Sequence, residues 1–88
     1  NEINETKLER FYDIAASDYS RTKILFNIKY DYLFFLSDNM TIDSNLVEFI
    51  GKPGYTPENV PSGDVAKITR FTIYKKKPVT AYLYLWER

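Results

Sequence analysis

Residues 65–86, VAKITRFTIY-KKKP-VTAYLYLW, decide the fold, because two β-rich runs separated by a short lysine-proline connection predict a C-terminal hairpin. In the second run Val79, Ala81, Leu83 and Leu85 alternate with Thr80, Tyr82, Tyr84 and Trp86. Successive side chains of a strand point to opposite faces, so this strand carries one aliphatic and one aromatic face. A single helix cannot cover both. One face is therefore expected to stay partly open or to be covered by a second chain.

Working towards the N-terminus, residues 52–64 hold Pro53, Gly54, Pro57, Pro61 and Gly63, which excludes a regular element. A loop of this length is often functional, and Tyr55 at its centre makes it a candidate recognition loop; a plain connector is the competing reading. Ser44 to Gly51 fits a short helix with Ser44 as N-cap and Gly51 beyond the end, while Leu46 to Ile50 also fits a strand. Asp38-Asn39 reads as a turn and Met40 to Asp43 as a short return strand.

From Lys23 to Leu36 apolar residues occupy every even position (Ile24, Phe26, Ile28, Tyr30, Tyr32, Phe34, Leu36), which predicts one long strand with a bend near residues 29–31. Leu33 and Phe35 make its second half apolar on both sides. Before it, Leu8, Phe11, Tyr12, Ala15 and Tyr19 lie on one face of a helix over about residues 6–19, and Thr6-Lys7-Leu8-Glu9 has capping-box spacing. The expected fold class is α+β: an N-terminal helix packed on a three- to four-stranded antiparallel sheet with a C-terminal hairpin, residues 1–88 forming a single domain.

Composition narrows the chemistry. The 88 residues contain no His and no Cys, so a Ser-His-Asp triad, a Cys-His pair, a disulfide and a zinc site of the common kind are all excluded. The three glycines sit in or beside one loop and form no phosphate-binding motif. Paired carboxylates remain as a hydrolase alternative, with Asp31, Asp38 and Asp43 flanking the apolar strand, but without motif spacing. The expectation is a protein without enzymatic activity or cofactor.

Eight Tyr, six Phe and one Trp are about twice ordinary usage. Tyr and Trp bury much area while immobilising few torsions, which makes Tyr55, Tyr82, Tyr84 and Trp86 the candidate anchors for another protein. Packing of the last three under the N-terminal helix is the competing reading. The function expected is a non-enzymatic protein-binding module, a small inhibitor of a larger protein or a self-associating unit that forms homo-oligomers.

Charge supplies the alternative partner. Twelve basic and twelve acidic residues give a net charge of zero, which argues against nucleic acid, yet residues 1–60 carry net −4 and residues 61–88 net +4. Lys75, Lys76 and Lys77 at the hairpin tip, with Lys67 and Arg70 on its strand and Tyr74 or Tyr82 for stacking, form the nucleic-acid candidate. A lysine tip also serves simply to keep a hairpin soluble. The longest apolar run, Tyr32 to Leu36, is far below the ~20 residues of a membrane helix, so no membrane insertion is expected. A start at Asn1 suggests a processed chain, no signal peptide is visible, and a cytoplasmic location is favoured over the cell envelope or secretion. Phe, Tyr, Ile, Lys and Asn make up 36 of the 88 residues, a bias of AT-rich coding sequence that points to a bacterial, phage or mobile-element protein.

Overall fold

In the computed structural model, which describes residues 2–61 and 63–87, the chain is α+β: two consecutive helices, a four-stranded antiparallel sheet and a separate two-stranded sheet. Helix α1 spans Glu5–Ser17. Its cap is Asn4, whose side-chain oxygen accepts the Lys7 N–H at 3.0 Å, so the cap lies two residues before the expected Thr6. Leu8 and Ala15 are buried and Phe11 and Tyr12 half-buried, as their shared face requires.

The helix does not run on to Tyr19. Asp18 is extended (φ −155°, ψ 88°), ends α1 and caps a second helix, α2, Tyr19–Leu25, by accepting the Arg21 N–H at 3.2 Å. Asn27 then takes a left-handed conformation (φ 54°) and donates to the Ile24 carbonyl, while the Ile28 N–H reaches the Lys23 carbonyl. The long strand expected from Lys23 is thus confined to β1, Asp31–Leu36. The apolar residues before Asp31 do not form a buried strand face: Ile24, Leu25 and Phe26 are largely exposed, whereas the buried residue of α2 is Thr22.

Strands β2 (Met40–Ile42) and β3 (Asn45–Val47) form a hairpin through Asp43 and Ser44, both left-handed. That turn and β4 (Ile50–Gly51) replace the short helix expected over Ser44 to Gly51. β5 (Val65–Tyr74) and β6 (Lys77–Trp86) form the predicted C-terminal hairpin, closed by two residues, Lys75 and Lys76, rather than four. The sheet order is β4-β1-β6-β5.

Register assigns the faces. Tyr32, Phe34 and Leu36 of β1 lie opposite Leu85, Leu83 and Ala81 of β6, on the face that carries α1 and the β2–β3 hairpin. There Leu8, Ala15, Leu36, Met40, Ile42, Val47, Ile50, Tyr74 and Val79 form the main buried cluster. Tyr74 also ties β5 to β2, its hydroxyl accepting the Thr41 N–H and donating to the Thr41 carbonyl.

Candidate functional site

The opposite face is aromatic. Leu33 and Phe35 of β1 pair with Tyr84 and Tyr82 of β6, which pair in turn with Lys67 and Thr69 of β5. Phe35 stacks on Tyr82 at 4.9 Å between centroids and meets Tyr84 edge-on at 5.2 Å and Phe49 edge-on at 6.0 Å. Such arrangements add about 0.5–1.5 kcal/mol per pair beyond burial. The Lys67 ammonium lies 5.1 Å from the Tyr84 centroid, within cation–π range. Among the described residues, the ring contacts on this face come from β1, β6 and the loops, and none from a helix.

Loop 52–64 reaches one end of this face. Tyr55 packs on Trp86 at 5.3 Å, and Trp86 is 3% exposed. Trp86 is therefore a support for the loop rather than an exposed anchor. Tyr82 and Tyr84 are half-buried, and they pack on Phe35 instead of lying under the N-terminal helix. The four aromatic residues expected to act together thus divide into a packed pair, Tyr55 and Trp86, and a more open pair, Tyr82 and Tyr84.

Towards the β5 edge the same face continues to Phe71, opposite Thr80, and Ile73, opposite Pro78; they are 81% and 41% exposed. Phe35, Phe49 and Phe71 were missed as site residues. Register parity from Tyr82 would have found Phe71, since every second residue of β5 shares its face, but nothing local in the sequence marks Phe49.

The basic candidates do not make one patch. Lys67 lies on the aromatic face and Arg70, opposite Ala81, on the other. Lys75 pairs with Glu5 at 3.5 Å and Lys77 with Asp38 at 3.4 Å, while Lys76 occupies the turn beside Lys75. Tyr74 is buried, which removes its ring from any stacking surface.

The carboxylates are also dispersed. Asp43 lies in the β2–β3 turn, and Asp31 is 3% exposed inside a network. It accepts hydrogen bonds from the Tyr19 hydroxyl at 2.9 Å and the Lys23 ammonium at 3.2 Å, with Lys52 at 3.7 Å. The Tyr19 oxygen in turn accepts the Tyr32 N–H, and the Thr22 hydroxyl, which donates to the Tyr19 carbonyl, lies 2.5 Å from the Tyr32 hydroxyl. Burial raises the Tyr19 hydroxyl pKa, and the Asp31 carboxylate reinforces the shift. Burial pushes Asp31 up as well, but the hydrogen bonds from Tyr19 and Lys23 and the charges of Lys23 and Lys52 outweigh it, so its pKa is lowered. Among the described residues no three or more acidic side chains gather as metal ligands.

This network makes a pH prediction. A carboxylate with a folded pKa below its unfolded value, ~3.9, stabilises the fold above that value, and the contribution is lost as pH falls through the lower folded pKa. Asp31→Asn leaves Lys23 and Lys52 without their counter-charge and is expected to cost about 3 kcal/mol near neutrality. In denaturant unfolding, the gap between wild type and variant should narrow below about pH 4. An unchanged gap down to about pH 2 would remove Asp31 from acid sensitivity.

Compared with known proteins, the chain matches no family model, no curated protein and no solved structure. Among the described residues no helix is long and apolar enough to cross a membrane.

Proposed function

We propose that the chain is a non-enzymatic protein-binding module, a small inhibitor of a larger protein or a self-associating unit, that engages its partner through the aromatic face of the sheet. The observation that carries this reading is the Phe35, Tyr82 and Tyr84 cluster, continued by an 81% exposed Phe71, on a face whose ring contacts include no helix. Monomeric proteins rarely leave large contiguous apolar patches uncovered, and aromatic residues backed by other rings are typical interface anchors. The Phe-, Tyr-, Ile-, Lys- and Asn-rich composition suits an inhibitor from a phage or mobile element of a low-GC bacterium. The scattered basic residues favour a protein over nucleic acid.

Replacing Tyr82 and Tyr84 together by Ala is expected to leave the helical and sheet signals in circular dichroism and to weaken partner binding by about 30-fold or more, the scale of an interface hot spot. The partner is identified by affinity capture from the source organism, and the variant's affinity is then measured by calorimetry. Equal affinity of the folded variant and wild type would sink the proposed face.

A further inference from the structure

β5 is an edge strand of ten residues. Its far end is covered, because the Ile3 N–H donates to the Ile73 carbonyl at 2.9 Å and Glu2 bridges to Ile73 in parallel. Backbone groups of successive strand residues turn to alternate sides, so Val65, Lys67, Thr69 and Phe71 turn their N–H and C=O groups the same way as Ile73, away from β6. The pairing of β6 with β1 agrees, since the Thr80 carbonyl accepts the Ser37 N–H and Thr80 therefore turns towards β1, leaving odd-numbered β6 residues to bond even-numbered β5 residues. Val65 satisfies its N–H locally on the Gly63 carbonyl, and Arg70 donates to the Thr69 carbonyl. Among the described residues, no other strand of the sheet lies along the stretch from Val65 to Phe71.

We infer that this edge pairs with the same edge of a second copy of the chain, antiparallel about a two-fold axis at Ile68, joining two sheets into one of eight strands. The inference goes beyond the aromatic-face reading above, because it gives self-association to the β5 edge and not to that face. It rests on the register that the free edge permits. An axis at Ile68 places Val65 opposite Phe71 of the second copy, Lys67 opposite Thr69, Ala66 opposite Arg70, and Ile68 opposite itself. The large exposed apolar side chains of this stretch, Ile68 and Phe71, then each meet an apolar partner. An axis at Lys67 or Arg70 would instead set like charges face to face, and one at Thr69 would set Val65 against Ile73, where Glu2 and Ile3 already lie along the edge. Self-complementarity about one axis is what a two-fold interface demands, and it sets a second copy above an unrelated peptide strand as the occupant. Joining also makes the two aromatic faces continuous.

The test uses the cysteine-free chain itself. Sedimentation over roughly 10 µM to 1 mM should show wild type moving from monomer to a species of twice its 10.4 kDa mass. Thr69→Pro removes an N–H that faces away from β6, so it breaks no intrachain ladder bond while blocking the shared edge; it should stay folded and monomeric throughout. Should that variant fail to fold, Ile68→Cys decides. At the two-fold axis its Cα atoms fall within disulfide range, so oxidation should give a covalent dimer, whereas Lys67→Cys should give none. Tyr82→Ala with Tyr84→Ala should still dimerise, so loss of this dimer and loss of the aromatic-face reading are distinguishable. A wild type that remains monomeric at the highest concentration, or a folded Thr69→Pro that dimerises, overturns the proposal, and a dimer that cross-links at Lys67 but not Ile68 overturns the register.

Discussion

Gly51→Ala is expected to remove a large share of the fold's stability. Gly51 has φ +150° and lies opposite Leu33 across the β4–β1 ladder. A Cβ placed there would sit 2.3 Å from the Tyr32 carbonyl oxygen and 2.9 Å from the Leu33 Cα, both backbone atoms of the central strand. No rotamer change relieves such a contact. Relief requires β4 to separate from β1, and with it Lys52, whose N–H donates to the same Tyr32 carbonyl. The cost should reach about 4 kcal/mol, against a total stability of roughly 4 to 13 kcal/mol for a chain of this length. Gly54→Ala supplies the comparison, because nothing lies within 4 Å of its added Cβ and only the backbone strain of φ +83° remains. Urea unfolding followed by circular dichroism decides, and a Gly51→Ala midpoint close to that of wild type would refute the steric argument.

Trp86→Ala should produce the second large loss, about 3–5 kcal/mol, the usual range for truncating a buried large aromatic residue. The ring is 3% exposed and supports Tyr55, so its removal also deprives loop 52–64 of its aromatic contact with the sheet. The same unfolding experiment, joined by protease cleavage within the loop, should show lower stability and faster nicking. A stable variant with an unchanged loop would mean that Tyr55 is held by something other than Trp86. Because of this cost, Trp86 is a poor position for testing partner binding, and Tyr82 and Tyr84 are better ones.

The C-terminal hairpin and α1 were legible because each repeats a simple period over many residues. Helix α2 was not, since its buried side is polar: Thr22 is fully buried and Tyr19 and Lys23 converge on Asp31. A helix that packs through hydroxyls and an ion pair carries no apolar stripe, and the alternating Ile24, Phe26 and Ile28 imitated a strand instead. Only Asp18 as a cap and Asn27 as a stop marked its ends. At Ser44 to Gly51 the helical reading yielded to the left-handed turn at Asp43 and Ser44, residues whose side chains tolerate that conformation better than most or bond the local backbone. The two-faced character of β6 was legible from alternation alone. Where loop 52–64 would land was not, because no periodicity relates Tyr55 to Trp86.

The sheet order has a consequence for synthesis. Central β1 is flanked by β4 and by β6, and the bond from the Thr80 N–H to the Ser37 hydroxyl spans 43 residues of chain. On the ribosome, Tyr32 to Leu36 emerges long before β6 can reach it, and the nascent chain carries this apolar segment unpaired along one edge until residues 77–86 have left the exit tunnel. Completion of the sheet therefore waits for β6, and the interval before it is when the apolar β1 segment is most open to wrong contacts.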